Sequence, residues 1–336
     1  MEKTIAAIST AVSASGIGIV RISGEESMEV ISRIYRSKGG KKDIRKAASH
    51  TIHYGYIYDG EELVDEVLVM IMKAPRTFTG EDTVEIDCHG GVYAMNRVLE
   101  TVLKNGAKIA EPGEFTKRAF LNGRLDLSQA EAVMDVIQAK NQSALNCSMS
   151  QLKGSVKKVI TQIRSELIYH IAYIESALDD PEHISLDGYP EQLLKVVKTQ
   201  EKKMDHLIAT ASDGKMIREG IRTVILGKPN AGKSSMLNLL TGENRAIVTD
   251  IAGTTRDVLE EYINLHGITL KMADTAGIRQ TEDVVEKIGV GKAKELAKDA
   301  DLILYVVDSS TPLDENDHEI MKMLEGKKAI VLYNKT

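Results

Sequence analysis

The sequence predicts a chain of mixed class in three parts: an α/β unit, a helical segment, and a second α/β unit built on a mostly parallel sheet. Three observations carry this. Short strand-like runs mix with amphipathic helices up to residue 118. Apolar residues then recur at helical steps between Val156 and Leu178. After residue 220, strands and helices alternate around a glycine-rich loop, Gly227-Lys228-Pro229-Asn230-Ala231-Gly232-Lys233-Ser234-Ser235.

A chain of 336 residues exceeds one typical core, so two or three domains are expected. The pattern divides at 1–118, 119–218 and 219–336. Hydrophobic content of 43% and charged content of 27% are those of a soluble globular protein. No apolar run reaches the roughly 20 residues of a membrane span, so no membrane partner is expected. Met1-Glu2-Lys3-Thr4-Ile5 lacks the features of a secretory signal.

The two cysteines, Cys88 and Cys147, are far apart and match no metal-ligand spacing. Cys88-His89 is a tempting pair, but zinc needs about four ligands and none cluster nearby. Idle thiols in a reducing cytoplasm are the expectation. A net charge of −6 argues against a bulk polyanion binder. Basic residues nevertheless concentrate locally at Arg33, Arg36, Lys38, Lys41, Lys42, Arg45 and Lys46, with Asp43 the acid among them. A solvated loop and a local RNA-phosphate contact both fit that run.

In the first part, strands are expected at Thr4–Ala11, Gly18–Ile22, Thr51–Tyr58, Glu66–Met72 and Thr83–Cys88. Helices are expected at Glu25–Tyr35 and Val92–Leu103, the latter with Val92, Met95, Val98, Leu99 and Val102 on one face. In the second part, Val156, Ile160, Ile163, Leu167, Ile171, Ile174 and Leu178 form an apolar stripe on one long helix, stopped by Asp179-Asp180-Pro181. A second helix is expected at Pro190–Ala211. In the third part, strands are expected at Arg222–Leu226, Val258–Leu265, Ile268–Ala273, Leu302–Val307 and Ala329–Tyr333. His266-Gly267 is a hairpin signal, so one edge strand should run antiparallel.

The glycine-rich loop fits G-x-x-x-x-G-K-[ST], between an apolar strand and a helix. Its glycines free backbone N–H groups to wrap phosphates, Lys233 reaches the β/γ oxygens, and the Ser234 hydroxyl can ligate Mg²⁺. Asp274-Thr275-Ala276-Gly277 fits D-x-x-G at a strand end, where Asp274 can hold Mg²⁺ through water and the Gly277 amide can sense a γ-phosphate. Between them, Thr249-Asp250-Ile251-Ala252-Gly253-Thr254-Thr255 is a switch-type loop, and Thr255 is a second candidate for Mg²⁺. Asn334-Lys335 follows an apolar strand and starts the guanine-reading N-K-x-D element, so GTP is the expected nucleotide. Many GTPases place a water-orienting glutamine after D-x-x-G, but here that residue is Ile278. Arg279, Glu282, Asp283 and Glu286 are nearby candidates for the missing role. Asn230 offers an amide oxygen where a monovalent cation could replace an arginine finger.

These stretches, from Gly227 through Ala246–Asp257 to Asp274–Arg279, resemble the MnmE (TrmE) family of bacterial tRNA-modification GTPases. GTPases such as Era and Der share parts of them but not the N-terminal half. That half also resembles MnmE, at Gly18–Gly24, Phe78–Asp82, His89-Gly90-Gly91, Pro112–Thr116 and Arg118–Leu127. The resemblance covers essentially the whole chain. It implies a cytoplasmic homodimer that hydrolyses GTP under potassium stimulation. With the FAD-dependent partner MnmG, in a heterotetramer, it would install an aminomethyl-type group on C5 of the wobble uridine of certain tRNAs. Carried over by motif, Asn230, Thr249, Ile251 and Thr254 would ligate K⁺, and Ser234 and Thr255 would hold Mg²⁺. Glu286 would position the attacking water. GTP would contact Asn230 to Ser235, Thr249 to Thr255 (with Asp250, Ala252 and Gly253), Asp274 to Gly277 (with Thr275 and Ala276), and Asn334 with Lys335. Arg21, Glu85 and Arg124 match positions that contact a reduced folate, 5-formyltetrahydrofolate or a related one-carbon donor. The family often has lysine where Arg124 stands, and the two cations are not equivalent donors.

The family continues past the point where this sequence stops, through the guanine-reading aspartate, back into the helical domain and on to a Cys-x-Gly-Lys end. The chain is therefore expected to be a truncated form, with an exposed stripe on the long helix and weak GTP binding. Two further readings stay open: an Era- or Der-like ribosome-assembly switch, and a folate-dependent one-carbon enzyme with a regulatory G domain.

Overall fold

The computed structural model describes residues 3–39, 43–244, 261–265, 267–273 and 297–336. It divides into two compact units, 1–133 and 134–336.

The first unit is a seven-stranded sheet with two helices, Ser27–Ile34 and Val92–Lys104, packed on one face. Its elements are β1 (Ile5–Ile8), β2 (Ile17–Ser23), α1 (Ser27–Ile34), β3 (Tyr35–Ser37), β4 (Thr51–Asp59), β5 (Glu62–Met72), β6 (Thr83–His89), α2 (Val92–Lys104), β7 (Lys108–Ile109) and α3 (Glu114–Leu121). The strand order is β3-β4-β5-β6-β2-β1-β7. Neighbours are antiparallel except β1 and β7, which run parallel. The period-two pattern sorts each central strand. Val20 and Ile22 of β2, Val67, Val69 and Ile71 of β5, and Val84, Ile86 and Cys88 of β6 point into the core. Met28, Ile31 and Ile34 of α1 and Met95, Val98 and Val102 of α2 close over them. Each such aliphatic side chain contributes about 1.5–3 kcal/mol on burial. The residues between them on β2 and β6, Arg21, Glu85 and Asp87, are left on the opposite face.

Strand ends depart from expectation where turns intervene. β1 covers less than Thr4–Ala11. β5 begins at Glu62 rather than Glu66, because Gly60 at φ 65° closes a tight hairpin with β4. Cys88 is buried and donates to the Gly18 carbonyl at 3.3 Å, and burial pushes its thiol up to about 11. Cys147 is exposed. Among the described residues, no group of three or more His, Cys, Asp or Glu is placed to hold a metal. No helix among them is long and apolar enough to cross a membrane.

The boundary between the units falls within α4 (Leu127–Gln138), and α5 (Gln142–Leu152), α6 (Ser155–Asp179) and α7 (Tyr189–Glu219) follow. Asn141 caps α5 by accepting from the Ala144 amide at 2.7 Å. Along α6, Ile163, His170 and Ala177 are buried at seven-residue spacing. Ile160, Leu167, Ile171 and Leu178 of the same stripe are exposed. α7 runs on to Glu219, past the expected end at Ala211.

The second sheet has the order β12-β11-β8-β10-β9. Its elements are β8 (Ile221–Leu226), α8 (Lys233–Asn244), β9 (Glu261–Leu265), β10 (Ile268–Met272), β11 (Leu302–Asp308), α9 (Glu315–Leu324) and β12 (Ala329–Asn334). β9 is the antiparallel edge strand and the other pairings are parallel. β8 and β11 are apolar on both sides, as strands covered on two faces must be. Val224, Leu226, Ile303, Tyr305 and Val307 serve one core, and Ile225, Leu304 and Val306 serve the other.

Candidate functional site

The glycine-rich loop leaves the C-terminal end of β8, the usual place for ligands in an open α/β sheet. Gly227 has φ 154°, and a Cβ there would strike the Val306 carbonyl of β11. Asn230 is left-handed at φ 61° and Gly232 has φ 101°. The loop thus winds tightly before α8 begins at Lys233, which sets the positive end of the helix dipole beside it. The Lys233 ammonium folds back to donate to the Gly227 and Lys228 carbonyls at 2.8 and 2.7 Å. Burial lowers its pKa. A cation held by neutral carbonyls next to helix amides is a ready anion site.

Two contacts fix the loop from outside. Lys228 pairs with Asp317 at 2.6 Å and with Asp314 at 3.1 Å. These bonds, that to Asp317 first, raise the pKa of Lys228. Asp314 and Asp317 form a capping box on α9, and Asp317 also accepts from the Tyr305 hydroxyl at 2.8 Å. On the other side, the Asn334 side-chain amide donates to the Ala231 carbonyl at 2.9 Å. Lys335 reaches Asp308 at 2.7 Å, and that bond, with those from Ser310, brings the Asp308 carboxyl down to about 2.

The structure therefore gathers Asn230, Ala231 and Gly232 in the loop and Lys233, Ser234 and Ser235 in the first turn of α8, with Asn334 bonded to the loop and Lys335 beside Asn334. Thr249, Asp250, Ile251, Ala252, Gly253, Thr254, Thr255, Asp274, Thr275, Ala276, Gly277, Ile278 and Glu286 lie outside the described residues.

A second cluster occupies the first unit. Arg21 and Glu85 are direct cross-strand partners on β2 and β6. The guanidinium meets one carboxylate oxygen through Nη2 at 2.6 Å and Nε at 2.7 Å. Arg21 Cζ lies 5.6 Å from the Phe78 ring centre and 5.5 Å from that of Phe115, and Arg124 Cζ lies 5.0 Å from Phe78. Arg21 and Arg124 thus converge on Phe78, and Glu85 joins the cluster through Arg21.

The loop that carries Phe78 is anchored below. Ser23 Oγ bonds Thr79 and Glu81, both at 2.7 Å, and Asn122 donates to the Thr79 carbonyl at 2.8 Å. Buried Arg118 pairs with Glu81 at 3.2 Å and Glu114 at 3.0 Å. Phe78 and Phe115 were not singled out by sequence reasoning, although each lies in a motif stretch. The available signal was scarcity: the chain has three phenylalanines, and two of them meet here.

The family described as GTP-binding protein TrmE N-terminus matches residues 4–124, which hold this second cluster. The family described as 50S ribosome-binding GTPase matches residues 222–335, which hold the phosphate loop. A tRNA modification GTPase MnmE from Lachnoclostridium phytofermentans is 59% identical over 99% of this chain and 73% of its own length. The protein of that name from Geobacillus kaustophilus is 52% identical over 99% of this chain and 72% of its own. That from Bacillus subtilis is 50% identical over 99% of this chain and 73% of its own. Identity at this level across both units, with the phosphate loop and the Arg21–Glu85 cluster each inside a matched region, shows that the chain belongs to the family of tRNA modification GTPases named MnmE.

Proposed function

We propose that this protein hydrolyses GTP to drive modification of the wobble uridine of tRNA at C5, together with the FAD-dependent partner MnmG. The observation that carries the nucleotide half is the tie from Asn334 to Ala231, which sets the first residue of a guanine-reading element against the phosphate loop. The folded-back Lys233 supports it, since phosphate oxygens can take the place of its two carbonyl partners.

The donor set also suits the cations. Ser234, at the start of α8, supplies a hydroxyl of the kind Mg²⁺ takes, with Thr255 as its partner ligand. Asn230 supplies an amide oxygen, a ligand type suited to K⁺, with Thr249, Ile251 and Thr254 completing the set. When bound, these cations neutralise charge developing on the phosphates. Glu286 positions the water in place of a glutamine at Ile278.

The Arg21, Glu85 and Arg124 cluster is assigned to a reduced folate, 5-formyltetrahydrofolate or a relative. Glu85 suits the N–H edge of a pterin, Phe78 and Phe115 offer ring faces, and Arg124 suits a carboxylate tail. The functional organisation is a folate-binding part (1–118), a helical part (119–218) and a G domain (219–336), acting as a cytoplasmic homodimer. A ribosome-assembly switch has no use for the folate cluster, so that reading is not favoured.

The test is nucleoside analysis of tRNA from a strain lacking the gene. Loss of the C5 substituent on the wobble uridine, restored by the gene, is expected. An unaltered nucleoside profile would refute the assignment.

A further inference from the structure

The geometry points to an RNA-binding platform on the edge of the first sheet, formed by Arg36, Lys38, Tyr54, Tyr56 and Tyr58. It rests on the tRNA-modification reading and adds a surface that reading does not specify. β3 is the edge strand, and Arg36 lies directly opposite Tyr56 on β4. Arg36 Cζ sits 4.0 Å from the Tyr58 ring centre, and Lys38 Nζ sits 4.8 Å from that of Tyr54. The rings of Tyr54 and Tyr56 are 6.2 Å apart. Cations and rings therefore alternate on the strand pair, the combination that binds single strands by phosphate contact and base stacking.

Edge protection accounts for only part of this arrangement. Charge on an edge strand discourages pairing with another sheet, which covers Arg36 and Lys38. It does not require three tyrosines beside them, one of them, Tyr54, 41% exposed. Two other cations of the basic run are committed elsewhere. Arg33 donates to the Asn105 carbonyl at 2.7 Å, and Arg45 is engaged by Asp43 and Glu29. Arg36 uses one of its donors on the Gly60 carbonyl at 2.8 Å, which holds the guanidinium in place while four donors remain for phosphate.

The platform is also rigidly backed. Tyr35 is buried beneath it and donates to the Tyr54 carbonyl at 2.8 Å. Its ring packs so closely on Gly55 that a Cβ there would lie 2.5 Å from it. Glu66 lies across β4, opposite Tyr56, so the cationic side of the platform is the β3 side. An RNA backbone would run along β3 with bases over the tyrosines.

The test is fluorescence anisotropy with an unmodified tRNA transcript, a single-stranded RNA of about 12 nucleotides, heparin, and vesicles containing phosphatidylserine. Wild type should bind both RNAs. Arg36→Ala with Lys38→Ala should weaken RNA and heparin together and lower the salt slope by about 1–2. Tyr54→Ala should weaken single-stranded RNA about tenfold and leave heparin unchanged, with Tyr54→Phe close to wild type. GTP hydrolysis should be unaltered in every variant, which also reports that they fold. The proposal is overturned if wild type binds neither RNA, if the variants bind RNA as wild type does, or if Tyr54→Ala weakens heparin equally. It is also overturned if the basic variants lose vesicles but not RNA. Unchanged RNA binding with intact GTP hydrolysis would remove this surface alone. A wild type that hydrolyses no GTP would instead remove the functional reading beneath it.

Discussion

The Asn334 side-chain amide donates to the main-chain oxygen of Ala231 at 2.9 Å, binding the end of β12 to the middle of the phosphate loop. Gly232 must be glycine for this to happen, since a Cβ there would meet the same Asn334 nitrogen. The end of β12 and the phosphate loop are therefore one mechanical unit. Asn334→Ala should lower affinity for GTP and GDP alike by about tenfold, the effect of about 1.4 kcal/mol for an acceptor left unpaired. Titration with a fluorescent guanine nucleotide reads this. Equal affinity in the variant would show that the tie is incidental.

A buried carboxylate fixes the other end of the loop. Asp317, 1% exposed, joins Lys228 of the loop, Tyr305 of β11 and the cap of α9. Burial pushes its carboxyl up, but bonds from Lys228, the Asp314 amide and the Tyr305 hydroxyl outweigh that and hold it below the ordinary value of 3.8. A depressed carboxyl stabilises the fold above its unfolded pKa, and the contribution is lost as pH falls through the lower folded value. Asp317→Ala should cost about 2 kcal/mol in urea unfolding at neutral pH, from the lost cap and buried hydrogen bond. The difference from wild type should shrink in acid below pH 3.8. A gap that persists undiminished there would contradict the ionic account.

In the first unit, Phe78 is the point where Arg21 and Arg124 meet. Phe78→Ala should weaken binding of 5-formyltetrahydrofolate about tenfold or more, by loss of one stacking face and of the register of two cations. GTP hydrolysis should be unchanged. Isothermal titration decides it, and full folate affinity in Phe78→Ala would detach the aromatic from the site.

Much of this was legible in the residues themselves. The Val156–Leu178 spacing foretold α6, and the apolar runs of β8 and β11 foretold a sheet buried on both faces. The strands β3 and β7 were missed because three and two residues carry no readable period, and only their neighbours make them strands. α7 outran its expected end because a glycine within a long helix, Gly214, is tolerated at a cost of about 1 kcal/mol. The phosphate loop was readable because its function is a contiguous motif. The convergence of Arg21, Phe78, Phe115 and Arg124 was not, because strand register and the buried Arg118–Glu81 pair bring together residues far apart in the chain.

The most direct measurement is phosphate release from GTP by wild type and by Lys233→Ala, with Mg²⁺ present, in potassium and then in sodium buffer. The account predicts release by wild type that is faster in potassium, and its loss in the variant together with thermal stabilisation by GTP. A wild type that leaves GTP intact in potassium, or a variant that turns over as wild type does, would contradict it.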